Sequence, residues 1–206
     1  MDDSKADLIA SLEKLNQAVL SKLDGLGDDD LRRPMTPTGT NLLGVVKHLA
    51  SVQAGYFGDT FGRPWPEPMP WFATDADIND DMFATADETS EWVLDFYRRS
   101  WAHARETFES TELDDTGTVP WWPAERRHPT LRTIMIHMTV ETARHAGHLD
   151  IVREMIDGEA GRFPGDSSIP GDSEIDWSAY VAKVADAARE AAQKASGQRP
   201  DTSSAP

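Results

Sequence analysis

The sequence predicts an all-α protein: a four-helix bundle with a long crossover and an extra C-terminal helix. Apolar residues recur at spacings of three and four over several long stretches, and nothing alternates with a period of two over a useful length. A long interval between the second and third helical patterns supplies the crossover.

The first helix is expected over about 4–24, where Leu8, Leu12, Leu15, Val19 and Leu23 repeat until Gly25 and Gly27 stop it. The second opens at Thr40 as N-cap and carries Leu42, Val45, Leu49, Val52 and Tyr56 on one face. It ends near 58–62, before the Pro-rich stretch RPWPEPMPW (63–71). The third covers roughly 86–109, with Trp92, Phe96, Ala104 and Phe108 among its apolar positions. The fourth and longest follows Pro129, with Thr130 as cap, and runs to a stop at Asp157–Gly158. A Gly/Pro/Asp/Ser-rich loop over about 159–172 leads to an Ala-rich helix, SEIDWSAYVAKVADAAREAAQKAS, expected to pack through Trp177, Tyr180, Val181 and Val184. One domain over 1–195 and a disordered tail over 196–206 complete the expected organisation.

With 206 residues, 39% of them hydrophobic and 27% charged, the chain can bury one real core. No run approaches the ~18 apolar residues of a transmembrane helix, so no membrane partner is expected. Acidic residues in MDDSKADLIASLEKL stand where a signal peptide needs basic ones, and a cytoplasmic location is expected. The net charge is −16, and basic residues cluster only as the pairs Arg32–Arg33, Arg98–Arg99 and Arg126–Arg127. Such a surface repels phosphate backbones, which argues against nucleic acid as a partner. There is no cysteine, so any thiol chemistry must arrive with a substrate.

Chemistry concentrates in HMTVETARHAGHLD (137–150). At about 100° per residue, His137, Glu141, Arg144, His145 and His148 share an arc of roughly 100°. They form a solvated face, or core histidines bonded to backbone and to Glu141, or a stripe that faces an ion. Glu141 and His145 stand at i and i+4, as do His137 and Glu141, with Cβ atoms roughly 5–6 Å apart. The remaining ligand must come from another helix, and His48 in GVVKHLASV is the candidate at the edge of an apolar stripe. An imidazole there needs a partner, which a metal or a carboxylate such as Glu141 provides. His103, among Trp101, Ala104 and Arg105, can face either way; His128 in ERRHPT reads as exposed. Two histidines and a glutamate suit Zn2+ first and leave a fourth position open, as catalytic zinc sites do.

LRTIMIHMTVETARHAGHLDIVREMIDG, together with PTGTNLLGVVKHLASVQAGYFGDTFGRP and DWSAYVAKVADAARE, resembles the DinB-like superfamily over about residues 5–190. More narrowly, it is similar to the actinobacterial branch of mycothiol S-transferases and the mycothiol-dependent maleylpyruvate isomerase. The resemblance implies an antiparallel four-helix bundle with a divalent metal at one end. It assigns the metal to His48, Glu141 and His145, the last two replacing the His-x-x-x-His pair of many DinB-like proteins. His148 falls where many relatives carry Gln, and His137 lies one turn before Glu141. Together with Arg144 these are expected as substrate contacts or neighbours of the ligands.

What the resemblance implies chemically is a metal-dependent S-transferase. A low-molecular-weight thiol, mycothiol by resemblance, becomes a metal-bound thiolate that attacks a small electrophile, as in detoxification. The isomerase's additional C-terminal domain is not found, which favours the transferase. A metal-dependent hydrolase on the same scaffold and a non-catalytic metal-binding bundle are the alternatives, and a homodimer is left open. Arg144 is expected to reach an anionic substrate group or to pair with Glu141 or Asp150, the ion pair being preferred. Trp71 in MPWF (69–72), and Trp121 and Trp122 in PWWP (120–123), either wall the site or cap the core under long loops.

Overall fold

The computed structural model describes residues 3–166, 168–171 and 174–197. Its α-helices are α1 (Asp3–Ser21), α2 (Asp28–Arg32), α3 (Leu42–Gln53), α4 (Ser90–Ser110), α5 (Leu131–Asp157) and α6 (Trp177–Gly197). The fold is all-α, with no strand among the described residues. No helix is long and apolar enough to cross a membrane.

Local chemistry sets the helix ends. Thr89 accepts from the Trp92 amide at 3.1 Å and Thr130 from that of Thr133 at 3.2 Å, so each satisfies an otherwise orphaned N–H. α3 begins one residue later than expected, because Asn41 rather than Thr40 caps it, accepting from Gly44 N at 2.7 Å. α5 stops at Gly158, whose φ of 81° is left-handed. The short α2, DDDLR, lies below the length at which periodicity speaks; its three leading aspartates suit the positive end of a helix dipole.

α3 packs on α4 and α5, and α1 packs on α5. The start of α1 (Leu8, Ile9, Leu12) shares a core with the start of α5 (Leu131, Ile134, Met135). The end of α1 (Val19) meets the end of α5 (Leu149, Val152) in a second core. These two helices therefore run in one sense. α3 and α4 likewise run in one sense: Lys47 pairs with Glu88 ahead of α4, and the Phe57 carbonyl beyond α3 accepts from Thr107 near the end of α4. Two helices that run the same way need a connection as long as themselves, which is what residues 59–89 provide.

That crossover is fastened to α3. A Cβ at Gly44 would overlap the Met82 carbonyl oxygen, so only glycine lets the two backbones lie this close. Lys47, on the same helix, is buried. Its ammonium donates to the Asp80 and Phe83 carbonyls at 3.1 and 3.0 Å, pairs with Glu88 at 2.9 Å, and sits 4.2 Å from the Trp71 ring centre.

Residues up to Pro164 form one compact unit, and those from Gly165 onward form another that contains α6. Trp177, Tyr180, Val181 and Val184, expected to pack α6 down, are exposed by 38–63%. Helical periodicity marks a face and does not say what covers it. The tail expected over 196–206 lies, from residue 198 on, outside the described residues.

Candidate metal centre

His48 sits one turn beyond Gly44 on α3 and reaches toward α5. An imidazole in this half-buried position needs partners for both ring nitrogens. Asp81, on the crossover, supplies one: its Oδ2 lies 2.6 Å from His48 Nδ1. A carboxylate only accepts, so Nδ1 carries the hydrogen and Nε2 is turned to α5. There Nε2 stands 3.4 Å from Glu141 Oε1. His145, one turn further along α5, places its own Nε2 3.1 Å from the same oxygen. One donor atom from each of His48, Glu141 and His145 lies within 4.8 Å of the others.

The charges divide unevenly. Burial opposes protonation of His48, but the hydrogen bond and charge of Asp81, then those of Glu141, carry its pKa above the ordinary histidine value. Burial would raise both carboxyls, yet His48 holds Asp81 below its usual range, and His145 with His48 does the same for Glu141. His145 moves the other way: burial first, then the charge of His48, lower its pKa despite Glu141. Asp81 and Glu141 thus favour the charged form of His48, whereas burial and the charge of His48 favour the neutral form of His145.

A divalent cation satisfies the lone pairs that His48 Nε2, His145 Nε2 and Glu141 Oε1 turn toward one another. With ligands about 2.0–2.1 Å from a tetrahedral zinc, neighbouring donors stand roughly 3.3 Å apart. The two short separations here, 3.4 and 3.1 Å, match that edge. Two imidazoles and a carboxylate are donors that suit zinc, and three protein ligands leave a position open. The residues fit the ion.

The other sequence candidates separate. His148 is exposed, its ring 5.3 Å from that of His145. Arg144 is exposed, and the ion pair preferred for it is not formed: Asp150 pairs with Lys22 at 2.8 Å, and Glu141 faces the two histidines. His137 packs edge-on against Tyr56 at 4.7 Å and Trp122 at 5.4 Å. Burial, with the charge of Arg126, lowers its pKa despite Glu141. Trp71 is a core residue whose indole donates to Ser51 at 3.0 Å, whereas Trp121 and Trp122 both donate to the Tyr56 hydroxyl. His103 is bound to the Arg63 carbonyl at 2.8 Å, away from the centre, and His128 is exposed beside Thr118.

Sequence reasoning missed Asp81 and the placement of Tyr56. The only signal for Asp81 was an acidic run, Asp75, Asp77, Asp80 and Asp81, in an irregular connection. The sequence pattern places Tyr56 on the apolar face of the second helix. Instead, α3 passes into a π-helical turn at Ala54–Gly58, which changes the register of every side chain after Gln53.

No curated protein matches the chain. The family model for mycothiol-S-transferase matches residues 7–158, a span that takes in most of α1, then α2, α3, α4, the crossover and all of α5. That is well over half of the sequence, and it holds every donor of the centre together with Asp81. The chain belongs to the mycothiol-S-transferase family, a DinB-like family.

Proposed function

We propose that this protein joins a low-molecular-weight thiol, mycothiol by family, through its sulfur to a small electrophile at a centre where His48, Glu141 and His145 hold a divalent metal, zinc by donor type. The observation that carries this reading is the convergence of those three donors, from two helices, within 4.8 Å. A zinc ion held there supplies the positive charge that favours a thiolate over a thiol at neutral pH.

The protein's own groups do the rest. Asp81 keeps the hydrogen on His48 Nδ1 and so presents the Nε2 lone pair to the centre. Glu141 carries the negative charge and spans both imidazoles. His148, exposed and beside His145, stands where it can take the thiol proton to solvent. Arg144, exposed and unpaired among the described residues, is free to meet an anionic group on the thiol or the acceptor.

The test is metal content followed by thiol consumption. Purified protein should carry or take up about one zinc per chain, and His48→Ala and His145→Ala should lose it. With mycothiol and a chloroarene or bimane acceptor, wild type should consume thiol and both variants should not. Full metal content in both variants would overturn the ligand assignment. Retained metal with no thiol turnover for any acceptor would overturn the S-transfer reading.

A further inference from the structure

Tyr56 stands in a small aromatic enclosure one helical turn from the metal ligands. Its ring lies edge-on to Trp121 (5.4 Å) and His137 (4.7 Å) and tilted to Trp122 (5.8 Å). His137 precedes Glu141 by four residues on α5, about 5.4 Å along the axis. The π-helical turn brings Tyr56 here, and Gly55 leaves room for Trp121, whose ring would sit 3.4 Å from a Cβ at that position.

The hydrogen bonds give the enclosure a polarity. An indole has a single N–H donor and no acceptor. Both indoles spend theirs on one atom: Trp122 Nε1 and Trp121 Nε1 donate to the Tyr56 hydroxyl oxygen at 3.0 and 3.3 Å. That oxygen's two lone pairs are thereby used, and among the described residues no acceptor takes its hydrogen. The phenol is a donor polarised by two N–H groups behind it, set among half-buried rings with Trp121 54% exposed at the rim.

We infer that Tyr56, Trp121, Trp122 and His137 form the acceptor subsite, and that it takes conjugated electrophiles whose activating oxygen accepts the Tyr56 hydrogen bond. This rests on the S-transfer reading and names its second substrate class: enones and related unsaturated carbonyl compounds. As the thiolate sulfur bonds to the β-carbon, the C=C pair shifts and negative charge gathers on the carbonyl oxygen, where the Tyr56 O–H meets it. The α-carbon then takes a proton from solvent, which has already received the thiol's proton. A thioether forms and no oxidant or reductant is needed. The rings suit a flat apolar body.

The test separates this subsite from thiol turnover. Acetophenone and ethylbenzene have nearly the same shape, and only the first accepts a hydrogen bond. Titrated into the intact protein, acetophenone should shift the indole N–H signals of Trp121 and Trp122 saturably and bind several-fold more tightly than ethylbenzene. Tyr56→Phe should erase that preference. Absence of saturable shifts at both indoles, or a preference that survives Tyr56→Phe, overturns the inference whatever the thiol assays show. If Tyr56→Phe does not fold, Trp121→Ala at its half-exposed position should weaken both ligands at least about threefold, and unchanged affinity overturns the enclosure. In turnover, Tyr56→Phe should cut kcat/KM for an enone about 10-fold or more beyond its effect on a simple alkyl halide, and equal losses count against the proposal. Binding as expected with no thiol consumption by wild type would leave the subsite standing and remove the S-transferase reading.

Discussion

Asp81 sets the charge state of His48, and its removal should be felt in two independent ways. In Asp81→Asn only Glu141 is left to oppose burial, so the His48 pKa should fall, as an NMR titration of its ring protons would show. Loss of a partner that orients a ligating histidine typically costs about 10–100-fold in metal affinity, measurable by competition with a chelator. The pH dependence has a definite sign. A raised His48 pKa stabilises the fold below the ordinary histidine value near 6.5, and that contribution disappears as pH climbs through the elevated folded value. His137 and His145, both lowered, act oppositely and weaken the fold as pH drops below about 6.5, because the unfolded chain takes up protons first. The part of their effect that comes from burial is common to both proteins and cancels in the comparison. In urea unfolding of metal-stripped protein, the gap between wild type and Asp81→Asn should be wider at about pH 6 than at about pH 8. Glu141 and His145 were legible in the sequence because i, i+4 geometry is a property of one helix, and His48 because an imidazole beside an apolar stripe needs a partner. Asp81 was not, since an irregular connection has no period that ties position to direction.

At the level of elements, the interlock between α3 and the crossover decides where Asp81 sits. Gly44 lies beneath Met82, the residue after Asp81, so Gly44→Ala must push the two backbones apart. A loss of about 1–3 kcal/mol in urea unfolding is expected from such overpacking, together with weaker metal retention. Gly147, in the middle of α5, makes the control: a Cβ there meets nothing within 4 Å. Gly147→Ala should stabilise the protein by about 0.5–1 kcal/mol through helix propensity alone and leave metal content unchanged. Helix boundaries were readable where the punctuation is local, as at Thr130 and Gly158. The π-helical turn was not, because its sequence, AGYFG, continues the pattern of α3, while the neighbours that crowd Gly55 and Gly58, Trp121, Arg63 and His103, lie far along the chain or in a loop. α6 was legible as a helix and illegible as a packing partner, for its apolar residues are exposed.

Across the whole molecule, every donor of the centre, the Tyr56 enclosure and the family match fall before Pro164, within the first compact unit. A chain ended after Pro164 should therefore fold cooperatively and bind metal with wild-type stoichiometry, which circular dichroism and metal analysis would check. Ending it before Gly161 should cost stability, because Lys22 and Ser21 donate to the Gly161 and Arg162 carbonyls.

The crossover also carries a consequence for how the protein comes into being. Glu141 and His145 become neighbours as soon as α5 winds, but 93 residues separate His48 from Glu141 and 33 separate it from Asp81. Contacts at such separations form late, because the entropy of closing the intervening chain must be overcome first. The nascent protein thus offers a weak two-ligand pair early and a tight three-ligand site only after the strap across α3 is down. In a stopped-flow refolding experiment, metal capture should lag the helical signal, making the ion a clock for the last large rearrangement of the chain.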